Sequence, residues 1–343
     1  MATWSEAEWA KQVGDIRDFP TYQQGADKLR ALIKTKLLKY TDLESSPSMF
    51  FHAHRMVVDP SKRGPGFFIR FTVQFNLFAG TVLGLGGDEQ CAILNDYQSK
   101  GTLGCFALTE KFAGVNSGLV VNTTAVYDHG RGGFVINSPN EGAEKNWISQ
   151  GLTADVAVVF ADLRVKGKSY GPHGFLVAMR KPNGSVADGI TLTDMGMKTI
   201  GNDLDNAAIR FTNMFAPVST LLNRYCDVNE AGDYVQKTGE KMRIEIIGQR
   251  LLSGRIAVSQ VRTANLVLLA KTHVPMAHMC HTQAALEFAK KLFAATAAYA
   301  KSKKWCAALS LKTAPRVAID PERQKKQKLD ARRRRPVGQA AAG

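Results

Sequence analysis

AVYDHGRGGFVIN, residues 125–137, reads as a β-hairpin: two short runs of β-branched and aromatic residues flank a turn made of Gly, Asp and His. Its arms extend from SGLVVNTTAVYD at 117–128 and GGFVIN at 132–137, and similar runs follow it, ADVAVVFADLRV at 154–165, HGFLVAMR at 173–180, GITLTDM at 189–195 and AAIRFTNM at 207–214. They recur at roughly ten-residue spacing with Gly, Asn, Asp or Pro between them, the pattern of an all-β unit. The texture predicts a central antiparallel β domain over residues 104–217.

The flanks carry a different period. In QQGADKLRALIKTKLLKYTDL, residues 23–43, Leu29, Leu32, Ile33, Leu37 and Leu38 fall near helical spacing and predict an amphipathic helix. AEWAKQVGDI and the Phe-, Leu- and Gly-rich segment from Phe67 to Leu94 complete a helical N-terminal domain over 1–103. The helical period returns in residues 240–271 and 281–304, so 218–311 is expected to form a partial helical C-terminal domain. The fold class expected is α+β, in the order helices, strands, helices. Residues 312–343 combine Pro315, Pro321, a KKQK run and an RRRR run with almost no large apolar residue, and are expected to form a basic disordered tail.

Composition narrows the function classes. The chain of 343 residues is 45% hydrophobic and 22% charged, as a globular protein is, and no apolar run is expected to approach the roughly 20 residues that span a bilayer. The N-terminal MATWSEAEWAKQ has neither the basic start nor the apolar stretch of a secretory signal. Five dispersed cysteines, Cys91, Cys105, Cys226, Cys280 and Cys306, suggest neither a zinc site nor a disulfide framework. His278 and His281 lack an acidic neighbour, so no metal is expected. Of the net charge of +15, residues 301–343 hold +10, from 13 Lys and Arg against 3 Asp and Glu. The remaining body is only mildly basic, and without aromatic interleaving no nucleic-acid partner is expected.

Three motifs within the β region go beyond texture. CFALTEKFAGVNSG at 105–118 resembles the acyl-CoA dehydrogenase signature of an aromatic-x-x-Thr-Glu strand before a glycine turn. TTAVYDHGRGGFVINSP at 123–139 resembles the acyl-CoA oxidase pattern that follows it, and KNWISQG at 145–151 resembles the Lys-x-Trp-Ile-Thr-Asn-Gly segment of the dehydrogenases. GKSYGPHGFLVAMR, GITLTDMGMKTIGNDLDNAAIRF and FAPVSTLLNRYCDV are similar to later oxidase landmarks. On these residues the chain resembles the acyl-CoA oxidase/acyl-CoA dehydrogenase family, the oxidase branch in particular, with an altered or truncated C-terminal part.

That resemblance implies FAD as cofactor, acyl-CoA and O2 as reactants, and a homodimer in intact relatives. It implies cofactor contacts from Phe106, Leu108 and Thr109, and from Trp147, Ser149, Gln150 and Gly151. Gly114 and Arg255 take the positions of substrate contacts. The function implied is FAD-dependent oxidation of acyl-CoA to trans-2-enoyl-CoA in fatty-acid β-oxidation, with O2 reduced to H2O2. No catalytic Glu is found: Gly254 stands at one of the family's base positions, and AKTHVPMAHMCHTQAALEFAKK, residues 270–291, resembles two family segments joined without the stretch between them. Activity is therefore expected to be impaired. The alternatives are a non-catalytic scaffold that binds flavin or acyl-CoA and an acyl-CoA dehydrogenase-like protein. The resemblance also implies the peroxisome, although the chain ends in AAAG rather than a Ser-Lys-Leu tripeptide.

Overall fold

The computed structural model of the chain describes residues 6–13, 21–57, 65–113, 121–199, 201–237, 248 and 250–257. Helices come first: α1 (Glu6–Val13), α2 (Tyr22–Lys34), α3 (Asp42–Ser45), α4 (Pro47–Met56), α5 (Pro65–Thr72), α6 (Ala79–Leu85) and α7 (Asp88–Lys100). α2 starts at Thr21, whose hydroxyl accepts the Gln24 N–H at 3.3 Å, and buries Leu29, Leu32 and Ile33. It stops earlier than the apolar period predicts, because Lys36 takes φ +57° in the left-handed region. Leu38 is still buried, but from the turn that follows.

α5 and α6 are joined by a π-helical stretch, Val73–Phe78, into one helix, Gly66–Leu85. This corrects the expectation about apolar runs. With 20 residues the helix is long and apolar enough to cross a bilayer by length and composition, and 89% of that window is buried inside the fold. It is a core helix, and protein groups meet its buried polar side chains. Gln74 reaches the Tyr40 hydroxyl (2.8 Å) and the Thr102 carbonyl (3.1 Å), while Asn76 donates to the Arg250 carbonyl (2.8 Å).

Strands follow: β1 (Gly104–Ala107), β2 (Thr124–Asp128), β3 (Gly133–Asn137), β4 (Lys145–Ser149), β5 (Val156–Val165), β6 (Lys168–Ala178), β7 (Ile190–Asp194), β8 (Asn206–Phe211) and β9 (Met214–Pro217). The opening hairpin is β2–β3, paired in register from Thr124–Asn137 to Asp128–Gly133. Asp128 closes its turn by accepting the Gly130 N–H at 2.9 Å. A further hairpin, β10 (Cys226–Val228) with β11 (Tyr234–Gln236), occupies the start of the region expected to be helical.

β5 is the organising strand. Val156, Val158 and Phe160 face the helical core, while Ala157, Val159, Ala161 and Leu163 face a second core shared with Ile148, Ala207, Ile209 and Phe211. The layers are therefore helices, a six-stranded sheet, and a three-stranded sheet in the order β4-β8-β7. The expectation of a purely antiparallel domain is corrected in one respect. β1 and β2 both run parallel to β5, lying end to end along one of its edges, with β1 on Val156–Val159 and β2 on Asp162–Arg164. Nearly continuous burial along β5 is the sequence trace of such pairing, since a strand covered on both faces loses its polar alternation.

Candidate functional site

Between the end of β1 and the start of β2 the chain leaves the edge of β5, and the backbone of Thr109 and Glu110 crosses to the second sheet. Asn146 N–H donates to the Thr109 carbonyl at 2.9 Å, and Glu110 bridges Lys145. The first and third sequence motifs are thus adjacent in space. Thr109 is half-buried, and its hydroxyl has no protein partner among the described residues.

Two residues along β4, Trp147 stands 53% exposed. Its backbone has φ +57°, at a bulge where the β4–β8 register shifts between Lys145 and Ile148. A non-glycine residue pays roughly 1–2 kcal/mol for this left-handed conformation. Among the described residues the Trp147 N–H meets only the thioether of Met195, at 3.1 Å, a weak acceptor. Ser149 is half-buried and accepts from Asn206 Nδ2 at 3.1 Å. Within two neighbouring backbone segments the described residues thus offer an exposed aromatic ring, a hydroxyl with no partner among them and an N–H held only by a thioether, groups suited to a planar heteroaromatic ligand.

The other expected cofactor residues divide differently. Phe106 is half-buried on the helical side of β1, edge-on to Phe160 at 5.4 Å, and Leu108 is fully within the helical core. Gln150 is buried at φ +67° and binds Gln74 Oε1 (3.0 Å) and the Gly104 carbonyl (2.8 Å), so its side chain joins the layers. Gly151 is required by close packing, since a Cβ there would lie 2.7 Å from the Cβ of Ala207. Gly114 falls outside the described residues. Arg255 is exposed and forms no ion pair among them, and at Gly254 a Cβ would lie 2.9 Å from Asn76 Nδ2.

Sequence reasoning passed over two buried ion pairs. Glu110 and Lys145 meet at 3.0 Å with both side chains fully buried. The Glu110 carboxylate also accepts the N–H groups of Asn122 (2.7 Å) and Thr123 (2.8 Å) and the Thr123 hydroxyl (2.7 Å). Burial alone would raise its pKa, but the Lys145 ammonium and these donors outweigh it and hold the carboxyl below its usual range. Burial pushes Lys145 down to about 8, with Glu110 pulling the other way, so both groups are charged at neutral pH. A carboxylate so enclosed is not placed to abstract a substrate proton. The second pair is Arg70–Asp205, at 2.8 Å and also fully buried. Arg70 further reaches Thr153 Oγ1 (2.8 Å) and the Asp203 carbonyl (3.2 Å). The signal available in the sequence was that Glu110 and Lys145 sit inside matching motifs; nothing in the sequence marks Arg70.

Residues 105–214 match the family model described as acyl-CoA dehydrogenase, middle domain. The chain is 37% identical over 203 residues to acyl-coenzyme A oxidase 2 of Yarrowia lipolytica, covering 57% of this chain and 28% of that one. Among solved structures it is similar to acyl-CoA oxidase 3 of the same yeast, with 29% identity, a TM-score of 0.60, and coverage of 77% of this chain and 39% of that one. It is also similar to acyl-CoA oxidase-2 of Caenorhabditis elegans, bound with FAD, ascaroside-CoA and ATP, with 26% identity, a TM-score of 0.55, and coverage of 77% and 39%. The chain spans well under half the length of these relatives. The order of motifs, the layered β unit and these matches agree: residues 105–214 match the acyl-CoA dehydrogenase middle domain, and over that part the chain is similar to acyl-CoA oxidases.

Proposed function

We propose that this chain is an acyl-CoA oxidase by descent that binds FAD and acyl-CoA, and that its described residues supply the wall of the flavin site while no base is positioned among them. The observation that carries this reading is the pairing of Thr109 with Trp147. A hydroxyl with no partner among the described residues and an exposed indole flank one backbone hydrogen bond, at the junction of two motifs that resemble flavin-binding segments.

The residues fit a flavin on the chemistry of their donors. When bound, FAD supplies the acceptor for a hydride from the acyl β-carbon. Thr109 would donate its hydroxyl hydrogen to the edge of the ring, and Trp147 would cover the ring and exclude water. Ser149, oriented by Asn206, would offer a second hydroxyl beside it. Phe106 would close the helical side, and the contribution of Leu108, Gln150 and Gly151 would come through their backbone and the shape of the turn. Gly114 and Arg255 remain the proposed contacts to acyl-CoA. Arg255 is free to turn its guanidinium toward a phosphate.

In a full oxidase the products are trans-2-enoyl-CoA and H2O2. Here Gly254 has no side chain to act as base, and Glu110 is sequestered by Lys145. Turnover is therefore proposed to be impaired, and a flavin- or acyl-CoA-binding scaffold is the second reading. Homodimerisation and a peroxisomal location belong to the same proposal. The location is supported by relatives whose names include the human peroxisomal acyl-coenzyme A oxidase 3.

The test is to purify the chain, titrate it with FAD by flavin fluorescence, and then assay acyl-CoA-dependent peroxide. Saturable FAD binding that Trp147→Ala weakens supports the reading. A wild-type chain that binds no FAD overturns it.

A further inference from the structure

We infer that the buried pairs Glu110–Lys145 and Arg70–Asp205 form a two-ended clamp on β4, and that this clamp positions Trp147. The assignment to flavin binding rests on the function proposed above; the clamp itself rests on the geometry of the strand.

Consider first the Lys145 end. β1 covers β5 as far as Val159, and β2 resumes at Asp162, leaving Phe160 and Ala161 without a strand neighbour on that edge. Both faces of β5 are buried there, so a polar backbone group in the gap needs another partner. Lys145 fills the gap by donating to the Phe160 carbonyl at 2.6 Å and to the Leu108 carbonyl at 3.3 Å. Glu110 neutralises it and accepts the amides of Asn122 and Thr123, just ahead of β2. One ion pair therefore joins the end of β1, the start of β2, the middle of β5 and the first residue of β4.

At the other end of β4, Asp205 accepts the N–H groups of Leu152 (2.6 Å) and Thr153 (3.3 Å), and its own carbonyl accepts the Gln150 N–H at 3.0 Å. Arg70 holds Asp205 and reaches the Gln150 side chain at 3.3 Å. The turn after β4 is thereby fixed to the core helix. Between the two anchors the strand bulges and holds Trp147 in a left-handed conformation with its ring outward. Such a conformation persists only where the surroundings over-determine it, and two buried pairs at the ends of a five-residue strand supply that constraint.

The experiment compares the full chain with Glu110→Gln, Lys145→Met and the double variant, by hydrogen exchange of the amides at 146–150 and by FAD titration. The clamp predicts faster exchange in β4 by about tenfold or more, while amides in α2 and β6 change by less than about twofold. FAD affinity is expected to fall by about tenfold in parallel. Where a single variant fails to fold, the double variant, which leaves no unpaired buried charge, supplies the comparison. Unchanged β4 exchange in a folded variant overturns the clamp. Uniformly faster exchange, or a double variant that cannot fold, assigns the pair to global stability and overturns it too. If the wild-type chain binds no FAD, the proposed function fails while the exchange data still decide the clamp.

Discussion

Lys145 Nζ lies 2.6 Å from the carbonyl oxygen of Phe160, at the place where β5 has lost one strand neighbour and not yet gained the next. A side chain here completes a sheet edge that backbone leaves open. The same side chain begins the strand that carries Trp147, so the core and the proposed flavin wall share one residue.

Removing one partner of the other buried pair gives a direct stability prediction. Arg70→Met leaves the Asp205 carboxylate buried and facing only neutral donors, a loss on the order of 3–5 kcal/mol. Urea unfolding should show it as a lower midpoint with an unchanged slope. Combining Arg70→Met with Asp205→Asn should recover part of the loss, and a double variant no more stable than the single would contradict this account.

Substitutions at the wall should separate binding from folding. Trp147→Ala should weaken FAD binding about tenfold, from lost aromatic contact. Thr109→Val, which removes one hydroxyl, should weaken it roughly threefold to tenfold. Because Trp147 is 53% exposed and the Thr109 hydroxyl has no partner among the described residues, neither should shift the melting temperature by more than a degree or two, on the order expected for surface changes. A large thermal loss in either variant would place that side chain in the core's support.

Activity should be low. Acyl-CoA-dependent peroxide formation is expected to fall at least about a hundredfold below that of a full-length oxidase, since a positioned general base typically contributes ~10²–10⁴-fold. Gly254→Glu should not restore it alone, because a Cβ at 254 already approaches Asn76 Nδ2 to 2.9 Å. Turnover within about tenfold of the full-length relative would require a carboxylate other than Glu110 to reach the substrate.

His54 sets a pH dependence. It is buried among Phe50, Phe68 and Phe71 with its Nδ1 on the Phe50 carbonyl at 2.8 Å. Burial pushes its pKa down to about 4, against the partial opposition of that carbonyl, from the ordinary value of 6.5. Between these two values the unfolded chain binds more protons than the folded one, so stability is lost as pH falls through the window. The shift corresponds to roughly 3 kcal/mol when fully developed. Thermal unfolding from pH 7 to 4 should show that slope, and His54→Leu should flatten it.

Gly104 is a packing requirement. A Cβ there would lie 2.2–2.4 Å from ring carbons of Phe78, which is itself fully buried. Gly104→Ala should cost ~1–3 kcal/mol by overpacking and lower the melting temperature by several degrees. Adding Phe78→Leu should return part of the loss, and an unaffected Gly104→Ala variant would show that the ring moves freely.

The sequence by itself determined the strand-forming stretches, the β2–β3 hairpin, the helical texture of the N-terminal part and the order of motifs that resembles acyl-CoA oxidases. These are local properties, carried by a period of 2 or 3.6, by Gly and Asp at the hairpin turn, and by short spacings. Tertiary structure alone decided how strands pair and what the buried charges do. Period and turn residues indicate that β1 and β2 are strands, but not that both lie parallel along one edge of β5. Glu110 finds Lys145 across 35 positions, and Arg70 finds Asp205 across 135. Within the third motif, Trp147, Gln150 and Gly151 look equivalent as letters. One faces solvent at a bulge, one joins two layers and one lies against Ala207, because each side chain's role depends on what packs across from it.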